Sequence, residues 1–132
     1  AHIMMRAEVV VVEGAGGGLV PLENRTTMRD LMIAIDFPVV VAARPGLGTL
    51  NHTLLSIEAL ATANLEIAGI VLVGTEETEW GAIEANNKKT LESAFGIPLL
   101  GCIPFCRHFR AGGKLSIRLE EAGDEILSQL HP

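Results

Sequence analysis

Tyrosine is missing from the 132-residue chain, tryptophan occurs once, and aromatic residues make up 4% of it. Any core must therefore be built from Val, Ile, Leu and Ala. Cysteine is scarce too. Cys102 and Cys106 are the two present, which argues against a disulfide scaffold and for a reducing, cytoplasmic setting. No apolar run is long enough for a membrane span, and the opening residues lack the charged-then-apolar order of a signal peptide. Positive charge is in deficit, with 10 Lys and Arg against 16 Asp and Glu. A net charge of −6 speaks against a non-specific nucleic-acid binder. A phosphate loop is also wanting. Ala111-Gly112-Gly113-Lys114-Leu115-Ser116 has the look of one, but His108 stands at the first glycine position of G-x-x-x-x-G-K-[ST] and Leu115 at the hydroxyl position. A solvated loop is the expectation there.

What remains is 48% hydrophobic, enough for one compact domain with a modest core. Ala1–Met4 followed by Met5 reads as a cloning remnant and a start, leaving residues 6–132 as a single α/β domain. Continuous apolar runs at Glu8–Val12, Pro38–Ala43, Gly69–Val73 and Pro98–Ile103 predict strands covered on both faces. Helical spacing predicts helices over Thr27–Ile35, Thr49–Ala63, Ile83–Phe95 and Ser116–Leu130. Thr26 or Thr27 is a candidate N-cap for the first, and Gly96 with Pro98 closes the third. This β-α alternation implies an α/β fold with a mostly parallel sheet.

Three places offer chemistry. Glu13-Gly14-Ala15-Gly16-Gly17-Gly18 follows Val9–Val12, so a carboxylate is expected at a strand's carboxyl end, beside a loop that backbone or ligand can approach closely. Glu13 is either a magnesium- or phosphate-proximal carboxylate or a strand-terminal Glu closing a glycine turn. Arg44-Pro45-Gly46-Leu47-Gly48-Thr49-Leu50-Asn51-His52 leads into the strongest helix. Free N–H groups there make an anion site, unless Thr49 merely caps the helix. His52, one turn in, reads as a surface or packing residue. Cys102, Cys106 and His108 are soft ligands within seven residues, but zinc needs a fourth.

Taken together, these segments resemble dethiobiotin synthetase. The resemblance rests on Glu13–Gly17 followed by Leu19-Val20-Pro21-Leu22, and on Pro38–Val41 leading into Gly46–Thr53. It rests also on Ala68–Leu72 and on Pro98–Pro104, and it spans about residues 6–105. It implies a P-loop NTPase-like, mostly parallel sheet flanked by helices, with the phosphate-loop strand missing from this chain. It also implies a cytoplasmic enzyme that uses ATP and Mg2+ to carboxylate 7,8-diaminopelargonate and close its ring. Glu13 would help hold magnesium. Glu13, Gly14, Ala15 and Gly16 would line the phosphates, while Val73, Gly74, Pro104, Phe105 and Cys106 would lie near the base. Gly17, Gly48, Thr49, Leu50 and Asn51 would meet the small-molecule substrate, its distal carboxylate arriving across a homodimer interface.

The pattern departs from the family in two ways. The phosphate loop, the lysines and the magnesium-binding hydroxyl belong to a preceding half with no counterpart here. The Asn that reads adenine is replaced by Val73, which offers no hydrogen bonds to a base edge. This chain alone is therefore expected to be inactive and to need a homodimeric partner or a missing amino-terminal half. A non-catalytic interaction or regulatory domain derived from the same fold is the alternative. P-loop-like domains of cobyrinate-type amidotransferases and phosphotransacetylases fit Gly46–His52 less well.

Overall fold

The computed structural model describes residues 9–77, 80–93, 96–106 and 117–130. Three strands, β3 (Val39–Ala43), β4 (Ile67–Val73) and β5 (Leu99–Ile103), form one parallel sheet in the order β3-β4-β5. Three of the four predicted runs therefore become strands, with ends shifted by one or two residues. β4 is the centre, and its Ile70, Val71 and Leu72 are buried. Among the described strands β3 pairs with β4 alone, and its exposure alternates along the strand.

Between the strands come α2 (Thr49–Thr62) and α3 (Ala82–Ser93), and after β5 comes α4 (Ile117–Leu130). Ile57 of α2 and Leu91 of α3 meet Ile70 and Leu72 in a closed aliphatic cluster. With so few aromatics, shape complementarity has to come from small adjustments. A Cβ on Gly69 would sit 2.5 Å from Leu100, and one on Gly101 would sit 2.8 Å from Ile126. Glycine at these positions lets β4 and α4 approach β5. Gln129 of α4 also donates to the carbonyl of Leu100 at 2.9 Å. On α4 itself, Ala122 is buried but Leu127 is 55% exposed.

α1 (Met28–Ile35) begins where its sequence signal lies. The Thr27 side chain accepts from the Asp30 backbone, while the Asp30 carboxylate accepts from the Thr27 N–H at 2.6 Å, a reciprocal capping box. The Thr27 backbone N–H and then its hydroxyl hold the Asp30 carboxyl below the usual aspartate range. Because the folded value is depressed, this cap is complete above the ordinary aspartate pKa and is lost as pH falls through the lower, folded value. The protection of Asp30 and its neighbours in α1 against amide exchange, relative to the intrinsic rate at the same pH, should fall on acidification below about pH 4. Asp30→Asn should abolish that acid-side dependence.

One predicted strand is corrected. Val9–Val12 forms no strand, and Val9 and Val11 are 63% and 86% exposed. β-branched residues favour extended backbone, but a strand also needs an edge to pair with. None of the described strands lies alongside this segment. In its place the sequence forms a short hairpin the spacing did not predict, β1 (Pro21–Glu23) with β2 (Thr26–Thr27), turned at Asn24 in the left-handed region. Glu8, Phe95, His108 and the loop 111–116 lie outside the described residues, as do residues 1–5.

Candidate functional site

The start of α2 owes its form to glycine. Gly48 is the N-cap with φ 86°, a conformation other residues adopt only with strain, and no side chain caps the helix. The alternative of a cap by Thr49 is not what forms. Thr49 is buried, and its hydroxyl shares a hydrogen bond with that of Thr53 at 3.2 Å. The turn is closed by backbone, from Thr49 N–H to the Gly46 carbonyl at 3.2 Å and from His52 N–H to the Gly48 carbonyl at 3.1 Å. The Leu50 and Asn51 amides lie between these two bonds at the positive end of the helix dipole, and Asn51 is exposed.

Beside this helix start, at the end of β3, lies a cleft of about 160 Å³ lined by Arg44, Thr49, His52, Thr53 and Ser56 among others. The sequence reading assigned neither Arg44 nor His52 to a site. Arg44 follows β3 directly, which is the local signal that a cation would stand at the strand's carboxyl end. Ser56 also lines a second groove, where Gly17 and Gly18 face Leu55, Ala59 and Leu60 of α2. The acidic glycine loop and α2 are therefore neighbours in space.

Arg29 anchors this second groove. Its backbone N–H donates to Gly18 and its guanidinium to the carbonyl of Ala59. Its buried Nε stands without a partner among the described residues. Glu13 is exposed and, with Val9–Val12 outside the sheet, does not end a strand. Gly14 packs on Met28, where a Cβ would be 3.1 Å from the sulfur. Gly16 adopts φ 77°, whereas the Gly17 position is open space.

The residues expected near a base do come together. Val73 pairs with Ile103, and the Gly74 N–H donates to the Ile103 carbonyl at 2.8 Å. A Cβ on Gly74 would lie 2.9 Å from the backbone nitrogen of Phe105. The ends of β4 and β5 thus form one wall from Val73–Gly74 and Pro104–Phe105, with Phe105 partly exposed and Cys106 half-buried. Burial pushes the Cys102 thiol up from its ordinary value, and Lys88 works against that. Among the described residues no three His, Cys, Asp or Glu side chains converge as a metal site, and no helix is long and apolar enough to cross a membrane.

A family model described as an AAA domain matches residues 2–111. The chain belongs to this family. The parallel β3-β4-β5 sheet with flanking helices is the P-loop NTPase-like α/β fold that membership entails. Within it the chain is dethiobiotin-synthetase-like. It is 47% identical over 94 residues to the ATP-dependent dethiobiotin synthetase BioD of Anaeromyxobacter dehalogenans (strain 2CP-1 / ATCC BAA-258), covering 71% of this chain and 42% of that protein. It is 38% identical over 108 residues to the protein of the same name from Bacillus velezensis, covering 82% of this chain and 46% of that protein. A biotin biosynthesis bifunctional protein, BioCD of Bordetella avium (strain 197N), is 43% identical over 98 residues, covering 74% of this chain and 20% of that protein. The chain spans less than half the length of these curated relatives.

Proposed function

We propose that this chain is the substrate- and base-side portion of a dethiobiotin-synthetase-like enzyme of biotin biosynthesis. The reaction is the ATP- and Mg2+-dependent carboxylation and ring closure of 7,8-diaminopelargonate. The observation that carries this reading is one of place. The two segments whose sequence resembles dethiobiotin synthetases, the acidic glycine loop and the α2 start, share a continuous surface with Ser56 between its two clefts.

Each part has a physical task. Gly48, Thr49, Leu50 and Asn51 receive the substrate's carboxylate at a helix start that has no side-chain cap, although the Thr49 N–H is already given to Gly46, with Arg44 adding positive charge. Gly17 offers the substrate an unobstructed backbone. Glu13, Gly14, Ala15 and Gly16 line the phosphates, and Val73, Gly74, Pro104, Phe105 and Cys106 flank the base. Val73 gives the base apolar contact and no hydrogen bond, so selectivity for adenine would have to come from elsewhere.

Magnesium would find one carboxylate here, Glu13, since no acidic cluster exists among the described residues. A single carboxylate suits an ion held mainly by nucleotide phosphates and water. Its contribution when bound is to neutralise phosphate charge.

The reading includes a partner. No G-x-x-x-x-G-K-[ST] stretch occurs in the 132 residues, and β3 leaves one edge unpaired among the described strands. A second copy, or a segment bearing the phosphate loop, would complete the cytoplasmic enzyme. The chain alone should therefore show no ATP turnover above background, with or without 7,8-diaminopelargonate and Mg2+. Steady-state phosphate release measures this, and robust turnover would refute the proposal. The lack of a phosphate loop together with Val73 favours a second reading, a non-catalytic interaction domain of the same descent. Calorimetry separates the two, because that domain would not bind diaminopelargonate.

A further inference from the structure

Three polar side chains are buried among the described residues: Thr49, Thr53 and Asn87. The first two satisfy each other. Asn87 is on α3, 7% exposed, and lies in an otherwise polar run, Asn86-Asn87-Lys88-Lys89. Burying an amide is unfavourable unless its hydrogen bonds are made. Asn87 Nδ2 makes two, donating to the carbonyl of Pro45 at 2.9 Å and to that of Gly46 at 3.2 Å.

Those two carbonyls belong to the turn that launches α2. Pro45 has no N–H, so its carbonyl is the one backbone group by which the turn can be held at that point. The Gly46 carbonyl also accepts from Thr49 N–H at 3.2 Å, so the contact to Asn87 and the first bond of the turn share an oxygen. α2 brings no side-chain cap of its own, and Gly48 is free to move in conformations closed to other residues. The turn that starts α2 is thus held from another helix.

We infer that Asn87 is a positioning residue that fixes the carboxylate-receiving start of α2 by tying Pro45 and Gly46 to α3. This rests on the reading above that the α2 start takes a carboxylate. Removing the donor leaves two carbonyls facing an apolar group and releases the turn.

The test uses the 132-residue chain with Asn87→Leu, of similar shape without a donor, and Asn87→Gln, which keeps the amide. Should Asn87→Leu fail to fold, Asn87→Asp replaces it, since it also lacks the amide donor. Amide exchange is read at Thr49 and His52, and 7,8-diaminopelargonate binding by calorimetry. In the donor-less variant, exchange at Thr49 and His52 should rise at least tenfold while Ile57 and Leu60 in the same helix keep their wild-type rates. Affinity for diaminopelargonate should fall about tenfold, and Asn87→Gln should restore part of both. Wild-type binding that Asn87→Leu leaves unchanged, or unchanged exchange at Thr49 and His52, overturns the inference alone. Absence of binding by the wild-type chain overturns the carboxylate reading, and the inference falls with it.

Discussion

Leu72→Ala is expected to lower stability by about 2–5 kcal/mol, the range for truncating a fully buried leucine to alanine. Leu72 is 0% exposed at the centre of β4 and belongs to the cluster with Ile57, Ile70 and Leu91. The loss has two parts. The removed methyl groups forfeit their transfer from water, and the cavity persists where β4 cannot move because β3 and β5 hold it on both sides. Small domains have about 5–15 kcal/mol in total, so a large share of the stability is at stake. For a chain of this size each kcal/mol lowers Tm by about 3–5 °C. Thermal unfolding by circular dichroism should show a fall of at least about 6 °C. A fall of less than about 2 °C would mean that the cluster is not the core. The exposed Leu47, 94% accessible, provides the contrast, and Leu47→Ala should leave Tm nearly unchanged.

Gly74→Ala should have the next largest effect. The added methyl would meet the backbone nitrogen of Phe105 at 2.9 Å and the carbonyl oxygen of Ile103 at 3.5 Å. A flexible side chain could swing aside, but here the obstacle is backbone. Either the exit of β4 moves away from β5, breaking the bond from Gly74 N–H to the Ile103 carbonyl, or Pro104 and Phe105 are displaced. Overpacking of this kind costs about 1–3 kcal/mol. Because these residues form the proposed base-side wall, any nucleotide binding by the completed enzyme should weaken together with Tm. Gly17→Ala is the control, since its Cβ would meet nothing within 4 Å. It should be neutral in Tm, and equal loss in both variants would show that neither contact matters.

How far the chain could be read before folding differs from element to element. The start of α1 was legible because its signal is local. Thr27 and Asp30 lie three residues apart and cap each other regardless of what α1 packs against. β4 was legible as an apolar run because both of its faces are covered. Val9–Val12 has an equally strong local signal and forms no strand, because pairing requires an edge that distant residues must supply. The hairpin at Pro21–Thr27 escaped notice for the opposite reason. Its strands are three and two residues long, too short to show alternation.

The site divides in the same way. Glu13–Gly18 and Gly46–His52 announce themselves in sequence, and the resemblance to dethiobiotin synthetases read from the sequence includes them. Asn87 gave no sign, because a polar residue among polar neighbours looks solvated until α3 is laid against residues more than forty positions earlier.

Composition and order were thus sufficient for an aliphatic α/β chain, for three of the described strands and the four described helices, and for the family to which it belongs. Folding had to settle which apolar run stays outside the sheet, which glycines lie under a neighbour, and which amide holds the start of α2. The physical reason is range. Caps, turns and periodicity act over a few residues, whereas strand pairing and buried hydrogen bonds join groups that only the assembled sheet brings within reach.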